Sequence, residues 1–335
     1  MKIGTCGCGT IASWISDFID QLNDPDIVRY AVFSNKPGEA AAFAEKYGWQ
    51  NSYENYDEML SNPEVDLVYV CVPNHLHYDM AVKALEAGKN VVCEKPFAVN
   101  DTQTKALLDL ADEKDLFITE ALWPGFLPSR KMIDDVIASG KIGKLTGAEI
   151  IALDNVMFLD RIKRLETGGG ALLDYGPYVL GRITYHFGWD IVKVEGTFEH
   201  LDTGVDSRDD YTLTFADGCI VHCYHTIDMP REEHQEYCLI KGTEGMIRLE
   251  SMSNPQEIQI LDNDGKLKES LKVPPMLHGR EVPFTAGYEY EFQAFAKALK
   301  EGRKECAETP HAQILTISRV MTELRRQAGV VYPFE

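Results

Sequence analysis

The sequence predicts an α/β protein in two parts: a parallel sheet layered with helices, then a mostly antiparallel sheet with a few helices. Three observations predict it. Over residues 1–122, short apolar runs alternate with helical patterns, as βαβ units do. The run VDLVYVCV, residues 65–72, is apolar on both faces, as a central parallel strand should be. After TEALWPGFLPS the alternation stops and extended runs recur at hairpin spacing.

The strands expected in the first part are 2–6, 27–33, 66–72, 90–93 and 116–120, with helices at 10–22, 37–47, 55–61, 76–87 and 101–114. A helix over about 128–139 opens the second part. The turns Ala216-Asp217-Gly218 and Gly242-Thr243-Glu244-Gly245 then separate extended runs. Two amphipathic helices, about 287–301 and 312–327, close the chain. The expected domains are 1–122 and 123–335, with the closing helices able to pack back on the first.

Composition bounds the function. A formal net charge of −20 argues against nucleic acid and anionic membranes as partners, since both repel a polyanion. No segment approaches the ~20 apolar residues that span a bilayer. The chain runs straight into a strand, MKIGTCG, without the charged leader and apolar core of a signal peptide, so a cytoplasmic protein is expected. The eight cysteines fit that compartment as small buried hydrophobes rather than a disulfide framework. GCIVHCYHTID invites a metal reading through Cys219, His222, Cys223 and His225. In a strand, however, Cys219, Cys223 and His225 share one face and His222 the other, so four ligands do not converge; a structural strand is expected and no metal.

The most informative stretch is KIGTCGCGTIASWISDF. Gly7-x-Gly9-x-x-Ala12 follows a strand and opens a helix. Gly7 allows the tight turn, Gly9 lets backbone approach a pyrophosphate, and Ala12 permits close helix–strand packing. Thr10 and Ile11 begin the helix, whose free N–H groups and positive dipole end suit a phosphate. The pattern lies at the first βα junction, the context that gives it meaning. The first domain is therefore expected to be a Rossmann dinucleotide-binding domain. The second strand ends in Ser34-Asn35-Lys36, with no acid at its tip to hold a ribose 2′-OH. That favours NADP, with NAD possible.

Parallel strands share polarity, so Pro73-Asn74-His75-Leu76-His77 and Glu94-Lys95-Pro96 should end in the same crevice as the glycine loop. Pro96 restrains Lys95 there. TGGGALLDYGPYVLG is the second constellation. Its three glycines permit close backbone approach, and Asp174 and Tyr178 share a face if the segment is helical. Pro177 makes a regular helix doubtful, with a start or kink expected at that point.

Together GTCGCGTIA, VPNHLH, EKP and GGGALLDYG resemble, in order, the signature stretches of the Gfo/Idh/MocA family of oxidoreductases, over nearly the whole chain. TEALWPGFLPS, GGGALLDYGPY and TGVD resemble its dihydrodiol dehydrogenase branch, also described as NADP-dependent D-xylose dehydrogenases. The resemblance implies a Rossmann domain followed by a C-terminal α/β domain on an open antiparallel sheet, whose outer face joins subunits in many members. It places the family lysine at Lys95. It puts Tyr178 where many sugar and inositol dehydrogenases carry histidine, a tyrosine being the branch's choice. Trp123 would pack near the nicotinamide, and Asn74 and His77 would line the cofactor site with Pro73 and Glu94. The branch often has an arginine shortly after the tryptophan, where this chain has Pro124-Gly125; that departure leaves the substrate range open.

The expected chemistry is reversible hydride transfer between NADP and a carbinol carbon of a sugar or cyclic diol. Tyrosine and lysine titrate near ~10 and ~10.4, so each needs help near neutral pH. Lys95 beside Tyr178 would favour the phenolate. Tyr178 is the expected acid/base, Lys95 its electrostatic partner and oxygen ligand, and Asp174 an orienting group. Arg161, Arg164 and His186 are candidates for the pocket wall. The rival readings are an inositol, anhydro-sugar or keto-sugar dehydrogenase of the same family, a nucleotide- or sugar-sensing regulator without chemistry, and a Schiff-base lyase through Lys95. The partially alternating run DYTLTFADGCIVHCYHTI suggests a sheet covered on both faces, hence a homodimer or homotetramer.

Overall fold

The computed structural model describes residues 1–274 and 287–335. The chain divides into two units, Met1–Trp123 with Met276–Leu315, and Pro124–Pro275 with Thr316–Glu335.

The first unit is built on six parallel strands: β1 Lys2–Cys6, β2 Val28–Phe33, β3 Asn51–Tyr53, β4 Leu67–Val70, β5 Asn90–Glu94 and β6 Ile118–Ala121. Their spatial order, β3-β2-β1-β4-β5-β6, reverses direction at β1. A crevice opens at such a switch point beyond the carboxyl ends of β1 and β4, where ligands of this architecture bind. The helices are α1 Thr10–Leu22, α2 Glu39–Tyr47, α3 Tyr56–Ser61, α4 His77–Glu86 and α5 Asp101–Glu113. Leu67, Val68, Tyr69 and Val70 of β4 are all wholly buried, the two-faced burial expected of a central strand. β3 was not expected: three residues at a sheet edge are too few to show a period. A later helix, α8 Tyr288–Lys300, belongs to this unit and stacks Tyr288 on Phe18 of α1, ring centroids 5.2 Å apart.

The second unit starts with α6 Pro128–Ala138, then β7 Leu145–Leu153 and α7 Ala171–Phe187. There follow β8 Ile191–His200, β9 Asp206–Phe215, β10 Ile220–Thr226, β11 Gln235–Gly242, β12 Met246–Leu249, β13 Glu257–Leu261 and β14 Leu267–Lys272. The eight strands form one sheet, ordered β14-β13-β12-β11-β7-β10-β9-β8, antiparallel except where β7 meets β10. The last helix, α9 His311–Ala328, starts within the first unit's residues and ends within the second's. α7 runs as one helix through Pro177, so it does not start there. Proline removes one helical donor, and burial of Leu173, Gly176, Pro177, Val179 and Leu180 holds the segment in place.

Among the described residues no group of histidine, cysteine and acid side chains could hold a metal ion. His225 Nε2 meets Asp209 at 2.7 Å inside the sheet layer, whereas His222 Nε2 meets Asp210 at 2.6 Å on the opposite face. No described helix is long and apolar enough to cross a membrane.

Candidate functional site

The loop after β1 turns at Gly7, whose φ of 119° is one L side chains rarely adopt. A Cβ there would also lie 2.9 Å from the Cys71 carbonyl oxygen. Gly9 caps α1 with extended backbone and no side-chain hydrogen bond, and a Cβ on it would meet nothing within 4 Å. The first amides of α1, at Thr10, Ile11 and Ala12, have no carbonyl one turn back to bond to. Ala12 is wholly buried against the sheet, while Gly9 and Thr10 are exposed. Open amides, a positive dipole end and no acid in the first turn fit a pyrophosphate.

At the end of β2 the structure adds a residue that sequence reading missed. Ser34 donates its hydroxyl to the Glu39 carboxylate, and Lys36 Nζ reaches the same carboxylate at 3.2 Å. The Ser34 hydrogen bond, then Lys36, holds Glu39 below the usual carboxylate range. The premise that no acid lies here is therefore corrected: it comes not at the strand tip but in the first turn of α2. Its i,i+3 spacing from Lys36 was the available signal. Asn35 and Lys36 remain exposed.

Beyond β4, Pro73 leads into a short turn, Asn74–Leu76, and then α4. His77 does not line an open surface, as the resemblance implied: it is 1% exposed. Its Nδ1 lies 2.7 Å from the Pro96 carbonyl and its Nε2 2.8 Å from the Val72 carbonyl. Burial pushes its pKa down to about 4, the two carbonyls opposing without prevailing. A neutral imidazole has one N–H, so His77 donates to one of these two carbonyls and only packs against the other, between the segment after β4 and the loop after β5. That loop holds Lys95, half-buried, joined to Pro96 by a cis peptide bond. Glu94 is buried; it accepts the Lys95 N–H at 3.2 Å and the Tyr69 hydroxyl at 2.7 Å. Behind it, Glu120 accepts the Phe97 N–H at 2.9 Å, and burial raises its pKa to about 8. Trp123 is 4% exposed and stacks on Tyr288, centroids 5.5 Å apart.

In the second unit, the three glycines before α7 approach protein rather than ligand. A Cβ on Gly169 would lie 2.5 Å from the Ile162 carbonyl oxygen and 2.7 Å from that of Arg161. Asp206, 34 residues on from Leu172, accepts its N–H at 2.6 Å and so caps α7 from a different strand. The helix presents Asp174 and Tyr178 one turn apart, both half-buried. Asp174 meets Arg161 Nη2 at 3.1 Å, its side chain 12% exposed. Next to Asp174, the Tyr175 hydroxyl donates to Asp154 at 2.5 Å; burial, then Asp154, pushes that phenol up. Arg164 is exposed. His186 is not on a wall: its side chain is fully buried, 2.8 Å from Asp134 and 3.4 Å from Arg182. Burial lowers its pKa to about 4.

A switch-point crevice beside a glycine-lined helix start, with a lysine at a neighbouring strand end, defines a dinucleotide-binding oxidoreductase of the α/β class. Residues 1–121 match the family description "Oxidoreductase family, NAD-binding Rossmann fold", and residues 131–248 match "GFO/IDH/MocA C-terminal domain". The chain belongs to the Gfo/Idh/MocA oxidoreductases. It is 29% identical over 338 residues to "Trans-1,2-dihydrobenzene-1,2-diol dehydrogenase" of Danio rerio, covering 99% of this chain and 98% of the relative. It is 29% identical over 331 residues to "scyllo-inositol 2-dehydrogenase (NADP(+)) IolU" of Bacillus subtilis (strain 168), covering 96% of each. Among solved structures, "Levoglucosan dehydrogenase, complex with NADH and L-sorbose" superposes with a TM-score of 0.85 at 22% identity, covering 98% of this chain and 97% of that one; this likeness is one of fold.

Proposed function

We propose that the protein is an NAD(P)-dependent dehydrogenase that oxidises a carbinol carbon of a sugar or cyclic diol, of trans-dihydrodiol or D-xylose type. The observation that carries the reading is the pairing of Asp174 and Tyr178 on one face of α7, in a family whose first domain has Lys95 at a strand end. When bound, the nicotinamide supplies the hydride acceptor. Tyr178 takes the hydroxyl proton as the carbon–hydrogen bond breaks, and returns it in the reverse direction. Lys95 holds positive charge at the substrate oxygen and favours the phenolate. Asp174 accepts from neighbouring hydroxyls, trading its Arg161 contact for them. Such proton transfers typically contribute ~10²–10⁴ in rate.

Gly7, Gly9, Thr10, Ile11 and Ala12 would hold the pyrophosphate through backbone amides. Ser34, Asn35 and Lys36 would take the adenosine ribose and a 2′-phosphate, with Glu39 opposing the phosphate. Pro73, Asn74, Glu94 and Trp123 would border the nicotinamide half, with His77 as their buried support. The protein would act in the cytoplasm as a homodimer or homotetramer, joined through the outer face of the second sheet, where Ile220 and Val192 are exposed. Light scattering at micromolar concentration tests this, and a monomer would refute it.

The deciding experiment follows absorbance at the reduced-nicotinamide band, with NADP or NAD offered alongside pentoses, hexoses, inositols, anhydro-sugars and trans-cyclic diols. Reduction with one substrate class, lost in Lys95→Met, is the expected result. Nucleotide binding without turnover across the panel would replace the enzyme reading with that of a sensor.

A further inference from the structure

The first unit contains a hydrogen-bonded line that the chemistry above does not use. The Tyr69 hydroxyl, wholly buried on β4, lies between two carboxylates: 2.7 Å from Glu94 Oε1 on β5 and 3.3 Å from Glu291 Oε1 on α8. A phenol has one proton to give, and an ionised carboxylate only accepts. Both contacts cannot be favourable while both acids are charged. Two anions flanking one hydroxyl would also repel in a site where Tyr69 and Glu291 are 0% and Glu94 6% exposed.

The donors decide which acid keeps the proton. Glu94 receives the Tyr69 hydroxyl on one oxygen and the Lys95 N–H on the other, so it is the anion. Glu291 Oε2 is buried with no hydrogen-bond partner among the described residues, and a carboxylate there would be desolvated for nothing. Burial, then Glu94, raises its pKa well above the carboxylate range.

We infer that Glu291 is a neutral carboxylic acid which donates to Tyr69, which in turn donates to Glu94, so that α8 positions the Lys95 loop from 196 residues downstream. Glu291 is a positioning residue, not a catalytic one. Among the described residues, the charged and titratable groups around it are Glu94 of β5, Tyr69 of β4, Glu289 and Tyr288 of its own helix, and Cys306, with Glu120 of β6 and Lys95 near Glu94 and Arg303 near Cys306. Among the described residues no cation bears on Glu291 directly to neutralise it as an anion: the charge of Lys95 bears on Glu120 and His77, and that of Arg303 on Cys306. The mechanistic consequence rests on the role proposed for Lys95, whereas the protonation itself does not.

Two measurements test it on the full chain. First, the infrared difference spectrum of wild type minus Glu291→Gln at neutral pH should show a protonated-carboxyl stretching band. Its absence would overturn the inference. Second, Glu291→Ala and Tyr69→Phe should each lower kcat by about tenfold to a hundredfold, the scale of a misplaced group, with substrate KM little changed. Glu291→Gln, which keeps a neutral donor, should recover most of the loss. Gln as damaging as Ala would mean that charge was needed, and would also overturn it. Wild type without turnover would refute the proposed function and leave the infrared to decide this inference alone. The infrared comparison needs only the Gln variant, so it decides the protonation even if the Ala variant fails to fold.

Discussion

Glu39→Gln should make the protein a better NADP binder. The carboxylate is held on Ser34 and on Lys36, 3.2 Å away, and its side chain is 37% exposed. A 2′-phosphate that takes Lys36 from it would come to rest ~6 Å from the carboxylate, two charge-assisted contacts apart. At that distance a dianion and a monoanion repel by roughly 1.4 kcal/mol at the dielectric of water and by about twice that at half that dielectric. The exposure of Glu39 argues for the lower figure, which is about tenfold in affinity. NAD carries no 2′-phosphate and gains nothing; it can lose slightly if Glu39 accepts its ribose hydroxyl. Titration of each nucleotide by tryptophan fluorescence or calorimetry, at fixed low ionic strength, reads the two dissociation constants without substrate. The expected result is an NADP constant lowered about tenfold relative to that of NAD, with the gap shrinking as salt screens the repulsion. An NADP/NAD ratio unchanged within about twofold would refute the assignment of Glu39 to the ribose edge of the site.

Lys95→Met and Tyr178→Phe should each reduce turnover by at least ~10² with the fold intact by circular dichroism; wild-type rates in both would remove them from the chemistry. Asp206→Ala, which uncaps the Leu172 amide 2.6 Å away, should cost about 1.5–3 kcal/mol in denaturant unfolding, and a loss below about 0.5 kcal/mol would make the cap irrelevant. Gly169→Ala should lower both stability and turnover, because its methyl would press on two carbonyl oxygens at 2.5 and 2.7 Å. Acid should destabilise the protein through its buried histidines. His77 and His186 are lowered from 6.5 to about 4 and His225 to about 3, so the unfolded chain binds their protons first. Their contribution is complete above pH 6.5 and falls away below it, by up to ~1.4 kcal/mol per pH unit for each histidine until its folded pKa is reached; a flat stability curve from pH 6.5 to 4.5 would contradict this.

Much of the first unit was legible because its signals are local. Gly7-x-Gly9-x-x-Ala12 placed β1 and α1, and the expected bounds 2–6 and 10–22 match Lys2–Cys6 and Thr10–Leu22. The two-faced apolar run placed β4, and hairpin turns placed β9 and β10. What stayed hidden depends on distance along the chain. Asp206 caps α7 from another strand, and nothing in GGGALLDYG announces it. The geometry of Tyr69 with Glu291 joins residues 222 apart. Pro177 misled about where the helix starts: local propensity allowed a start there, and the burial of α7 carries the helix on from Ala171. Glu39 was visible but misjudged, since the acid was sought at the strand tip and lies five residues after Ser34.

The His77 ring spans two carbonyls, one at the end of β4 and one just past Lys95. With a single N–H to give, the neutral ring bonds one carbonyl and packs on the other, so it fills a set width between two loops rather than bonding both. An insertion in 73–76 would pull the ring from Pro96, and one between 94 and 96 would carry Pro96 away from the ring. Under the proposed function, variation in what the protein recognises would enter through segments outside these two loops, such as the stretch around Phe158, 70% exposed, and Arg161 before α7. A designer seeking new specificity would diversify that stretch first and leave the two loops at their present length.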